Sequence, residues 1–85
     1  LDGKGEAVKE LIEYIARSLV DDPSQVQVIQ DRSGSAVHLE LRVSKEDMGR
    51  VIGKNGKVAN SMRTLLRVAA AREGKQAGLD VIEPR

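Results

Sequence analysis

Val51-Ile52-Gly53-Lys54-Asn55-Gly56-Lys57 sets two glycines three residues apart around a Lys-Asn pair. An apolar dipeptide leads in, and a helix-forming run beginning at Lys57 leads out. Glycine has no Cβ, so it accepts positive φ and lets another molecule's backbone come close. A helix starting just after the loop aims unpaired N–H groups and a partial positive charge into it. Lys54 and Lys57 add full charges at the same place. The combination makes a phosphate cradle with no catalytic group in reach. Two nearby glycines also simply make a turn, so the flanking chain has to decide between the two.

Downstream, Lys57 to about Glu73 reads as a helix stopped by Gly74. At 100° per residue from Val58, the residues Ala59, Met62, Leu66, Ala69 and Ala70 fall between about +20° and +120°. Leu65 and Val68 fall near −20° and −80°, roughly opposite Arg63 and Arg67. The apolar arc is thus about 200° wide, where about 100° is enough to dock on a sheet. The surplus edge, Ser61, Leu65 and Val68, is the expected contact for a second protein. Ala77–Glu83 is a last strand with Leu79 and Val81 pointing in, closed by Pro84.

Upstream, Ser44 reads as a helix N-cap with Asp47 three residues on, in the manner of a capping box. The helix it opens is short, about Lys45–Ile52, and Gly53 ends it. Glu46 and Asp47 read as complements to its dipole, since neighbours on a helix face apart. Before it, Val37, Leu39, Leu41 and Val43 alternate with His38, Glu40 and Arg42, a half-buried strand with His38 on the outer face. Residues 31–35 form a turn cluster, and Gln25–Gln30 is a partner strand with Val26 and Val28 inward. The two strands are expected to pair as an antiparallel hairpin. Glu6 to Val20 is an amphipathic helix with Val8, Leu11, Ile12, Ile15 and Leu19 on its stripe, stopped at Asp21-Asp22-Pro23. Tyr14, the only aromatic residue, covers the edge of the core. Leu1–Gly5 is a flexible lead-in.

Eighty-five residues make one domain. The chain lacks cysteine, which excludes disulfides and thiolate zinc sites. No apolar run approaches about 18 residues, so no membrane association is expected and a cytoplasmic protein is the default. Net charge is +1, unevenly spread. Residues 1–44 hold five Lys/Arg against eight Asp/Glu, and residues 45–85 hold nine against five. The basic half carries the glycine loop, as a polyanion-binding surface requires. Enzyme readings fail. Val51 stands where both the Walker A and the dinucleotide fingerprints need their first glycine, and Val58 stands where Walker A needs Ser or Thr. With one histidine and no cysteine, neither a nucleophile–base pair nor a metal cluster assembles, and no metal or cofactor is expected.

The element order is therefore α-β-β-α-α-β, with the glycine loop between adjacent helices. This order, with Gly49-Arg50-Val51-Ile52-Gly53-Lys54-Asn55-Gly56-Lys57 at its centre, resembles a type II KH domain. Within that class it resembles the small single-domain bacterial KH proteins of the KhpA family, over residues 6–83. The resemblance implies an α+β domain, a three-stranded sheet packed against three helices, and binding of single-stranded RNA. In such domains the G-x-x-G loop clamps the backbone of about four nucleotides and the bases lie in an apolar groove. Carried over, Gly53, Lys54, Asn55, Gly56 and Lys57 hold phosphates, with Arg50 one turn before the loop as the next candidate. Val51, Ile52, Val58 and the inner edge of the Val37–Val43 strand line the groove. The chain departs from the common pattern at Ala59, where such domains often have Ile. Lacking Phe and Trp, it has no stacking platform, so modest affinity and weak base preference are expected. The resemblance further implies an RNA chaperone or post-transcriptional regulator linked to cell elongation and division. It also implies a homodimer, or a heterodimer with a larger KH-containing protein. A module acting mainly through such protein pairing is the competing reading.

Overall fold

The computed structural model describes residues 6–83. The expected lead-in at Leu1–Gly5 and the closing Pro84 lie outside the described residues. Helix α1, Glu6–Leu19, buries Val8, Ile12 and Ala16, a row at spacing four. Leu11 and Ile15 are half-buried beside that row. Leu19, inward by angle, is 38% exposed, because an angular stripe carries no information on where the layer beneath it stops. Tyr14 is 73% exposed, further out than a core-edge cover.

Pro23–Gln25 forms one 3-10 turn, and the chain then enters strand β1, Gln27–Ser33. The strand runs three residues further than the turn-forming composition of residues 31–35 implies. The hairpin loop is only Gly34-Ser35, with Ser33 paired to Ala36. Gly34 supplies φ +59° at the first loop position, which the tight two-residue connections of hairpins demand. Strand β2, Ala36–Arg42, points Val37, Leu39 and Leu41 inward, and Val43 follows buried.

Strand β3, Gln76–Ile82, pairs parallel with β2, giving a mixed sheet ordered β1-β2-β3. A parallel neighbour needs a long crossover. Here it consists of Lys45–Asp47 as a 3-10 turn, helix α2 at Met48–Ile52, the glycine loop, and helix α3 at Lys57–Ala71. Helix α3 buries Ala59, Met62, Leu66 and Ala70. Ala59, the departure from the common pattern, is 4% exposed and fits where it stands. The helix ends in a Schellman motif: Lys75 N–H reaches Ala70 O at 2.9 Å, Gly74 N–H reaches Ala71 O at 3.0 Å, and Gly74 has φ +69°. A single core unites the inner sheet face with all three helices. This is the α+β arrangement expected from the sequence.

Candidate nucleic-acid interface

Gly53 ends α2 with φ 77° and ψ 173°, a conformation open essentially to glycine alone. A Cβ added there would lie 2.8 Å from Val58 Cβ and 2.9 Å from Val58 N, and closer still to Val58 Cγ2. The loop therefore doubles back so tightly that the start of α3 occupies the space a side chain would need. Asn55 (φ 57°, ψ 27°) and Gly56 (φ 75°, ψ 12°) are both left-handed. Asn tolerates that region better than most residues. At Gly56 an added Cβ would meet only Asn60 Nδ2, at 3.8 Å. The first glycine is thus fixed by both φ and space, the second by φ alone.

Not every amide of the loop is available to a ligand. Gly56 N–H donates to Gly53 O at 3.2 Å, and Lys57 N–H donates to Lys54 O. The expectation of several unpaired amides at the helix start is corrected to that extent: a tight turn satisfies its own donors first. Lys54, Asn55 and Lys57 are exposed. Among the described residues neither lysine has an acidic partner.

The apolar groove candidates divide. Val51 is fully buried and anchors α2 to the core, which corrects its placement as groove lining. The same correction applies to the inner edge of the β2 strand, where Val37, Leu39, Leu41 and Val43 are each 3% exposed or less. Residues that bury the sheet under helices cannot also face a ligand. Ile52, 36% exposed, and the half-buried Val58 retain surface beside the loop. An open depression of about 310 Å³ lies elsewhere, at the hairpin end of the sheet, lined by Asp31, His38 and Gly78 among others and by no residue of the loop.

Arg50 stands apart from the loop lysines. Its Nε donates to Asp47 Oδ1 at 3.1 Å and its Nη2 to Asp21 Oδ2 at 2.7 Å. Asp47 is 2% exposed and also accepts from Asp21 N (3.1 Å), Asp22 N (3.0 Å) and Ser44 Oγ (3.0 Å). The reading of Asp47 as a dipole complement in a capping box is therefore corrected. Its carboxylate faces inward and joins the turn after α1 to the entry of α2. The Asp21 N–H holds its pKa below the ordinary Asp value, with further lowering from the Asp22 N–H, Ser44 and Arg50, against the opposing effect of burial. The Asp47–Arg50 spacing is a side-chain pairing visible in any helix. The partners 25 and 26 residues away carry no sequence signal.

On α3, Leu65 and Val68 are each 51% exposed and Ser61 is exposed beside them. His38 lies on the outer sheet face with Nε2 3.1 Å from Asp80 Oδ2. Among the described residues no group of His, Asp and Glu is arranged to hold a metal ion, and no helix is long and apolar enough to cross a membrane.

Residues 9–81 match the family described as KhpA/KhpB, KH domain. The chain is 47% identical over 75 residues to the RNA-binding protein KhpA of Clostridium perfringens, covering 88% of this chain and all of that one. The protein of the same name from Clostridium acetobutylicum is 45% identical with the same coverage. That of Treponema pallidum is 44% identical over 75 residues, covering 88% of this chain and 94% of its own. Among solved structures, Era in complex with MgGDPNP and nucleotides 1506–1542 of 16S ribosomal RNA superposes with a TM-score of 0.66 at 16% identity. The match covers 95% of this chain and 30% of Era, so the likeness is one of fold. An Era of Aquifex aeolicus gives a TM-score of 0.64 over 95% of this chain and 31% of its own.

Proposed function

The chain belongs to the KhpA/KhpB family of KH domains, and we propose that it is a non-catalytic protein that grips single-stranded RNA with Gly53-Lys54-Asn55-Gly56. Residues 6–83 act as one KH domain. The observation that carries the proposal is the loop: a tight turn enforced at Gly53, flanked by two exposed lysines with no acidic partner among the described residues. Backbone grip comes from Lys54, Lys57 and the Asn55 amide, while Ile52 and Val58 offer apolar surface to bases. No metal or nucleotide takes part. The family's curated members are named RNA-binding proteins, and an RNA chaperone or post-transcriptional regulator in the cytoplasm, connected with cell elongation and division, is the role proposed for this one.

Changing Lys54 and Asn55 together to Asp tests the proposal. Each altered contact to a charged group is worth about 1–3 kcal/mol, so affinity for a single-stranded RNA oligonucleotide falls at least about tenfold. Both side chains are exposed, and the melt moves by no more than about 0.5 kcal/mol. Unchanged affinity in a folded double mutant refutes this mode of binding. Self-pairing, or pairing with a larger KH-containing protein, is a second reading favoured by the exposed Leu65 and Val68. It is compatible with the first because these side chains lie away from the loop on α3.

A further inference from the structure

The carboxylate of Asp47 has no role in gripping RNA, yet it is the one charged side chain among the described residues that is buried. Helix α2 is five residues long, far too short to hold its own direction in water. Val51 and, one turn earlier, the half-buried Met48 hold one face of it to the core, and apolar contact along a single face sets direction only loosely. The remaining tie is polar. Asp47 Oδ1 accepts from Asp21 N and Arg50 Nε, and Oδ2 accepts from Asp22 N and Ser44 Oγ. Arg50, on α2 itself, then reaches the Asp21 side chain at 2.7 Å. Three positions before Gly53, the helix is thus tied to the turn that follows α1.

We infer that Asp47 and Asp21 are positioning residues for the glycine loop: acting through Arg50, they fix the direction in which α2 presents Gly53-Lys54-Asn55-Gly56 to a phosphate backbone. The inference rests on the RNA-binding reading and assigns Arg50 a task other than direct contact. Two carboxylates share its guanidinium, so its pull on a phosphate is largely answered within the protein.

The two roles predict opposite signs for Asp21→Ala. The Asp21 side chain is 78% exposed, so its loss leaves the melt almost unchanged. Removing a negative charge and one of the two carboxylates on Arg50 would tighten RNA binding if charge alone mattered. Positioning predicts weaker binding instead, by a factor of roughly two to ten, with Asp21→Glu restoring most of it. The slope of log K against log salt stays at the wild-type value, because no phosphate contact is lost. Lys54→Gln, by contrast, lowers that slope by about 0.7. Without RNA, amide exchange quickens in Asp21→Ala at Gly53 and Gly56, whose N–H groups bond to Gly49 O at 2.9 Å and Gly53 O at 3.2 Å, while β2 amides keep their protection. Equal or tighter binding by Asp21→Ala overturns the inference, as does unchanged exchange at Gly53 and Gly56. A wild type that fails to bind a mixed-sequence single-stranded RNA refutes the proposed function, and the exchange measurement still decides the positioning.

Discussion

At Gly53 a methyl group meets the backbone nitrogen of Val58 at 2.9 Å, whereas at Gly56 it meets nothing but the end of one side chain at 3.8 Å. The two glycines of the loop are therefore unequal although the motif writes them alike. Gly53→Ala has to move the start of α3 as well as strain φ, at a cost of roughly 2–5 kcal/mol. Gly56→Ala bears only the left-handed penalty of about 1–2 kcal/mol, and Gly56→Asn less. Chemical denaturation of the three variants checks the order, and equal losses at both positions would contradict the packing account. Asn55 shows the same physics from the other side, since it is the only non-glycine residue among those described with positive φ.

Helix α3 serves two masters by its faces. One row packs on the sheet and the other helices, and Arg63 from a flank donates Nε to Leu79 O at 3.0 Å. That contact occupies an acceptor on the outer edge of β3, where an open strand edge invites unwanted pairing. The opposite edge leaves Leu65 and Val68 half-exposed. If they meet a second copy, Leu65→Asp buries an unpaired charge in the contact, which is strongly unfavourable. Sedimentation is expected to show the mutant as a monomer while far-UV circular dichroism keeps the wild-type signal. A wild type that is already monomeric at high micromolar concentration removes the self-pairing reading.

Across the whole molecule, the loop lysines and the acidic outer sheet face lie on different elements. The outer sheet face carries Asp31, Glu40 and Asp80 beside Arg42, while Lys54 and Lys57 sit at the helix junction. In the proposed mode this arrangement would favour a polyanion at the loop over the outer sheet face. If two to four phosphates are neutralised, log K against log salt falls with a slope of roughly −1.4 to −2.8 for a single strand. A flat response, or loss of binding in chelator, contradicts this. Stability has its own charge signature. The pKa of Asp47 is lowered on folding, so its contribution is fully present above the unfolded Asp value of about 3.9 and is lost as pH falls through the lower folded value. Denaturant midpoints taken across that acid range are expected to drop in the wild type. Asp47→Asn, weaker from the outset, lacks that part of the drop.

Local chemistry made much of this legible from the chain alone. Period-two alternation at Val37, Leu39, Leu41 and Val43 and the helical rows of α1 and α3 follow from burying one face of an element, and Gly53 and Gly74 mark helix ends because positive φ suits glycine. The turn at residues 31–35 misled, since composition there favours a loop while cross-strand pairing extends β1 to Ser33. What only tertiary structure decided involves groups distant in sequence. The parallel pairing of β3 with β2, the burial of Val51 rather than its exposure in a groove, and the capture of Arg50 by Asp47 and Asp21 all depend on which surfaces meet. A periodicity reports that a face is apolar, and a charge reports that it seeks a partner. Neither names the partner, because that is set by the path of the chain between residues 21 and 47, which only the folded core fixes.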